Sequence, residues 1–204
     1  MKVFHPMQIP PKVTAMYESV IEIIDEGTDI HNIKVESITK RAGIGKGTAY
    51  EYFSSKEEII LNALIYDTKK QLALMYSLQE EKESFEDKIK VILEWLREKF
   101  KGRCVFHQLM QLWTGSHDMG KAIHENIVKM QEDSSGYLEF IDYLLDVGIS
   151  QGVIQVTDPY RGRSAIASQF VSYVLYLTNG RFYTTVDEHE ALHVAYENMM
   201  KMLN

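Results

Sequence analysis

Residues 35–59 read VESITKRAGIGKGTAYEYFSSKEEI. Val35, Ile38 and Ala42 recur at helical spacing and predict a short helix over 34–42. Gly43 follows, where a chain leaving a helix needs positive φ. A second short helix is predicted from Gly45 to Phe53; its apolar residues Ala49 and Phe53 are placed to pack on Val35, Ile38, Ala42 and Ile44. Ser55-Lys56-Glu57-Glu58 then reads S-x-x-E, a capping box that opens another helix. Two short helices joined by a tight glycine turn form a helix-turn-helix, here spanning about 34–53, which presents its second helix to a DNA major groove.

The same periodicity extends in both directions. Met16, Val20, Ile23 and Ile24 form one apolar stripe, and Gly27 is placed to end that helix. Downstream, helices are predicted over 84–100, 103–113, 124–147, 158–179 and 187–203. Asp158-Pro159 supplies an N-cap followed by proline at the first helical position. The chain has 204 residues, 45% of them hydrophobic and only four proline, three of which precede residue 12. That composition predicts a globular, all-α protein and excludes wholesale disorder. Val153 to Val156 is the one stretch with strand-like alternation. One cysteine, Cys104, cannot form an intrachain disulfide, and the first residues hold no apolar signal region, so a cytoplasmic protein is expected.

Net charge is −7, which argues at first against a nucleic-acid partner. Its distribution argues the other way. Residues 34–56 carry five basic side chains against Glu36 and Glu51, whereas residues 61–204 are net acidic.

With these residues in view, the region from Met16 to Leu64 resembles the DNA-binding part of the tetracycline-repressor (TetR) family of bacterial transcription regulators. The likeness is densest from Ile38 to Glu58, through the glycine turn, the Tyr50, Tyr52, Phe53 aromatic cluster and Lys56. Two features depart from the family pattern: the link from Gly27 to Ile38 is about two residues longer, and Lys34 stands where threonine or serine often caps the helix. Asn32 is an alternative cap. The resemblance implies roles for several residues on double-stranded DNA. Lys46, Gly47 and Thr48 open the recognition helix toward the duplex, and Gly47 permits close approach. Tyr50 meets a phosphate or a base edge, while Lys56 and Lys34 contact the backbone. Glu51 either repels phosphate or accepts a bond from cytosine N4. Tyr52 and Phe53 are expected in the core.

Other motifs carry less. His189-Glu190-Ala191-Leu192-His193 matches the H-E-x-x-H zinc signature, the basis of a remote zinc-hydrolase alternative. Too little chain follows to supply a third ligand and a cleft, so no metal site, no cofactor and no enzymatic activity are expected. GIGKGT at 43–48 fails as a phosphate loop, because Gly47 replaces the residue after the lysine and a helix precedes it. Cys104, with only His107 nearby, reads as a structural thiol. The uncharged run 164–180 is too short and too polar to span a bilayer, so no membrane partner is expected.

The expected organisation is a helix-turn-helix domain over 1–54, then a helical effector-binding and dimerisation domain over 55–204. Trp95, Phe106, His107, Met110, Trp113, Tyr137, Phe140 and Tyr173 are candidates to line a pocket for a small-molecule effector, with Gln111 as a polar contact. Core packing is the competing role for each. Ile166, Phe170, Tyr173 and Leu177 form one helical face, and Leu192, Tyr196 and Met199 another; both are expected at a homodimer interface. The function expected is repression at a pseudo-palindromic operator, relieved by the effector. An activator or architectural factor without an effector is the alternative.

Overall fold

The computed structural model describes residues 9–101, 136–179 and 185–204. Among these residues it is all-helical, as the periodicity predicts. Eight α-helices are present: α1 (Pro11–Asp25), α2 (Val35–Arg41), α3 (Lys46–Tyr52), α4 (Lys56–Glu80), α5 (Phe85–Phe100), α6 (Tyr137–Ser150), α7 (Pro159–Thr178) and α8 (Glu188–Leu203). The helix predicted over 103–113 lies outside the described residues. The helix predicted from His124 to Val147 is corrected at its start. Gly136 is extended (φ −98°, ψ 177°) and serves as the N-cap of α6, so no helix runs through it.

Local chemistry sets most boundaries. Asp158 caps α7 by accepting the Arg161 N–H at 2.7 Å, and Asp187 caps α8 by accepting that of Glu190 at 2.9 Å. Ser84 Oγ accepts the Asp87 N–H at 3.0 Å and starts α5. Gly27 and Gly43 take φ of +90° and +67°, the left-handed values that end α1 and α2.

The chain divides into two compact units, one reaching Gln71 and the other beginning at Leu72. In the first, α1 and α2 pack together and α3 packs on α2. Their core holds Met16, Val20, Ile24, Ile38, Ala49 and Phe53 together with Ile59, Ile60, Ala63 and Leu64 of α4. Because those four α4 residues belong to the same core, this unit extends beyond the residue-54 boundary expected from the sequence.

In the second unit α7 packs against α5, α6 and α8. Its interior includes Phe85, Ile92, Leu93, Phe140, Leu144, Ile166, Phe170, Tyr173 and Met199. Polar clips close its loops. Gln151 accepts the Phe85 N–H and donates to the Glu83 carbonyl, each at 2.8 Å. Lys88 is buried, yet its ammonium donates at 2.8 Å to the Gln79 carbonyl in the last turn of α4 and at 2.9 Å to the Gln79 side chain. A cation at a helix C-terminus is stabilised by the exposed carbonyl dipoles. The segment 153–156 is not a strand: the Gln155 and Val156 N–H groups both donate to the Leu203 carbonyl, at 3.1 and 3.0 Å. Among the described residues no helix is long and apolar enough to cross a membrane.

Candidate nucleic-acid interface

α3 is short, and one of its residues, Ala49, is buried. The rest of its surface faces outward. Lys46 and Gly47 are exposed, Thr48 is half-buried, and Tyr50 and Tyr52 are 49% and 42% exposed. Tyr52 therefore leaves the core expected of it, whereas Phe53 enters it at 7% exposure. Both lie within one turn of Ala49, but α3 ends at Tyr52, and at Phe53 the backbone turns extended (φ −136°, ψ 141°) with the ring in the core.

Lys46 stands at the first position of α3, and its ammonium pairs with the Glu36 carboxylate on α2. The hydrogen bond to Lys46 holds the Glu36 carboxyl below the usual carboxylate range, and the same bond pushes the lysine up. Arg41 makes a bidentate pair with Glu26 at 2.7 and 2.8 Å and lies 3.6 Å from Glu22, tying the end of α2 to the end of α1. Lys56, the first residue of α4, donates to the His31 carbonyl at 3.0 Å and lies 3.7 Å from Glu57. Lys34 is exposed and forms no ion pair among the described residues. It is the N-cap of α2 by position but makes no side-chain cap bond. Asn32 does not replace it as the cap, since it ends a 3-10 turn (Ile30–Asn32) whose own cap is Asp29.

The capping box at α4 forms with one change. The Ser55 hydroxyl accepts the Glu58 N–H at 3.1 Å, but the Glu58 carboxylate returns to Ser54, accepting its N–H at 2.7 Å and its hydroxyl at 2.6 Å. These bonds hold the Glu58 carboxyl below its ordinary value. They also fix the turn between α3 and α4, and with it the position of Lys56.

The resulting surface carries a short exposed helix, cations at its first residue and at the starts of two neighbouring helices, and two tyrosine hydroxyls. It contains no metal-binding group of three His, Cys, Asp or Glu among the described residues. Residues 27–63 match the family described as bacterial regulatory proteins, tetR family. The chain carries the DNA-binding region of the tetR family within these residues. It is a DNA-binding regulator of transcription and not an enzyme. The chain is 27% identical over 153 residues to the fatty acid metabolism regulator protein of Bacillus subtilis (strain 168), an alignment covering 71% of this chain and 72% of that one. The fold of this chain is also that of the transcriptional regulator FadR from Bacillus subtilis, solved in complex with stearoyl-CoA. The match has a TM-score of 0.67 at 22% identity and covers 93% of this chain and 97% of that one. The fatty acid degradation regulator FadR from Bacillus halodurans matches with a TM-score of 0.69 at 21% identity, over 97% of each chain.

The other expected sites fare unevenly. Phe106, His107, Met110, Gln111 and Trp113, like Cys104, lie outside the described residues. Phe140 is fully buried with its ring edge-on to Tyr76 at 4.7 Å, and Tyr173 is 2% exposed. Burial pushes the Tyr173 hydroxyl up to about 12 and raises that of half-buried Tyr137 as well. Trp95 is half-buried, edge-on to Phe100 at 6.2 Å. A groove of about 360 Å3 lies in the first unit, lined by residues that include Val13, Tyr17, Tyr52, Phe53, Asn62 and Tyr66. It includes none of the residues expected to line an effector pocket.

Five of the seven residues expected at the interface face the subunit's own core instead. Ile166, Phe170, Tyr173, Leu177 and Met199 are buried within the subunit, and Leu192 and Tyr196 are half-buried. α7 has apolar residues on two faces, and the face chosen from the sequence is the one that fills the subunit's own core. The other face leaves Val171 and Leu175 exposed on α7, with Val194 and Met202 exposed on α8. His189 and His193 are exposed, and His193 pairs with Glu197 at 3.2 Å rather than with a metal set.

Proposed function

We propose that this protein is a homodimeric repressor that binds a pseudo-palindromic operator through α3 and is released by a small-molecule effector, a long-chain acyl-CoA thioester. The observation that carries the DNA half of the reading is α3 itself. Apart from Ala49 its residues face away from the core, with Lys46, Thr48 and Tyr50 available to a duplex and Lys34 and Lys56 flanking it. In this reading a boundary near residue 54, with Lys56 just beyond it still on the DNA side, separates the residues that touch DNA from those that serve effector and dimer. Support for the effector class comes from the fatty acid metabolism regulator with 27% identity and from the stearoyl-CoA-bound neighbour of the same fold. Dimerisation would use the outward face of α7 and α8, through Val171, Leu175, Val194 and Met202. Release requires the effector to bind the DNA-incompetent state more tightly, since a ligand indifferent to the two states shifts nothing.

The test is a gel-shift titration on an operator selected from random duplexes. Stearoyl-CoA, free coenzyme A and stearate are added separately. Release by stearoyl-CoA alone is expected. Release by none of the three overturns the effector class, and failure to select any operator overturns the DNA half.

A further inference from the structure

Glu51 has no task within the fold. It is exposed, and it makes no ion pair or hydrogen bond among the described residues. Three cations of its own unit are engaged elsewhere, Lys46 with Glu36, Arg41 with Glu26, and Lys70 with Glu18 at 3.1 Å. Three and four residues away along the chain stand Thr48, Gly47, Ser54 and Ser55, so no helical neighbour offers it a positive charge.

Its position on α3 is specific. At 100° per residue, the direction opposite buried Ala49 falls between Gly47 and Glu51, which lie one turn apart. Tyr50 and Thr48 flank this line, and Lys46 turns back toward α2. Gly47 has no atom within 4 Å of where a Cβ would stand. The outermost line of the recognition helix is therefore a bare glycine followed by a carboxylate. When such a line enters a major groove, the glycine lets the backbone come close, and the carboxylate then sits at the depth of the base edges.

An ionised carboxylate is an acceptor only. Guanine presents N7 and O6, and thymine presents O4, so both repel it there. Adenine offers N6–H beside the acceptor N7. Cytosine offers its N4 amino group with no acceptor on its own major-groove edge. We infer that Glu51 is a specificity-determining residue of the operator interface, accepting a hydrogen bond from a cytosine N4 amino group at one position of each half-site. It also lowers affinity for all other DNA by facing the phosphate field. The inference rests on the DNA-reading role of α3 proposed above.

The test is selection from a randomised duplex library with the full-length protein and its Glu51→Gln and Glu51→Ala variants, each checked for unchanged helicity. Wild type is expected to require cytosine at one position per half-site, with a preference of roughly ten-fold or more. Glu51→Gln should shift that position toward adenine, whose N6 and N7 suit an amide, and Glu51→Ala should abolish the preference while tightening binding to unrelated DNA. If all three proteins select the same motif and differ only by a uniform change in affinity, Glu51 reads no base and the inference fails alone. If wild type selects no motif, the DNA-reading role fails and takes this inference with it.

Discussion

Lys46 at the head of α3 and Glu36 on α2 are joined in an ion pair across the glycine turn. The cation nearest the start of the recognition helix is thus half-neutralised by its own fold before any DNA arrives. Both partners are solvent-exposed, so the pair adds little to stability, and its weight falls on binding.

Glu36→Gln should free Lys46 and remove one negative charge from each subunit's DNA face. Affinity for DNA of any sequence should rise, and the log–log salt dependence should steepen by roughly one unit for each phosphate newly engaged. Fluorescence anisotropy at several salt concentrations measures both. An unchanged slope would mean that Lys46 engages the same number of phosphates with or without Glu36, so that the pair does not hold it back.

Two glycines of the helix-turn-helix should respond in opposite ways. Gly43, at φ +67°, has open space around its missing Cβ, so Gly43→Ala is penalised by backbone strain alone, about 1–2 kcal/mol, seen as a lower Tm. Gly47 has no such φ, and Gly47→Ala should stabilise α3 by up to about 1 kcal/mol. The same methyl should weaken operator binding, because it stands on the outermost line of the helix. Thermal melts set beside binding curves separate the two effects.

Much of this region was legible in the sequence because its signals are local. The left-handed glycines at 27 and 43, the Ser55 cap and the Asp158-Pro159 helix start each depend on a few neighbouring residues. Longer-range pairings left weaker traces. The Lys46–Glu36 pair joins residues ten apart on two helices, and Lys56 reaches the His31 carbonyl across 25 positions. Nor could periodicity choose between the faces of α7. A helix with no charge from Ser164 onward is apolar on more than one side, and only its packing partners decide which side is core.

That choice has a direct consequence for assembly. Leu175→Glu and Val194→Glu place charges on the outward face and should give folded monomers in sedimentation or light scattering, with unchanged helicity. Phe170→Ala, on the inward face, should instead lower stability by about 3–5 kcal/mol. Dimers that persist with a glutamate at both outward positions would remove α7 and α8 from the interface.

The second unit holds two glycines at close approaches. A Cβ on Gly148 would stand 2.8 Å from Ile154 Cδ1 and 2.9 Å from Phe85 Cδ2, while one on Gly162 would meet the Leu145 methyls at 2.9 and 3.0 Å. A leucine terminus can rotate away, but the buried Phe85 ring cannot move without disturbing the core around it. Gly148→Ala should therefore lose about 1–3 kcal/mol by denaturant titration, and Gly162→Ala less. The reverse order would place the tighter packing at α7.

The Leu203 carbonyl, which receives two amide protons from the loop at 155–156, makes that loop a reporter. Gln155 and Val156 are irregular in shape, yet their amides are shielded by the last turn of α8, whose lifting uncovers them. Their exchange with deuterated solvent is then timed by the fraying of a helix some fifty residues further along the chain. Two loop amides record how often this end of the molecule comes undone, without an attached probe or a mutation.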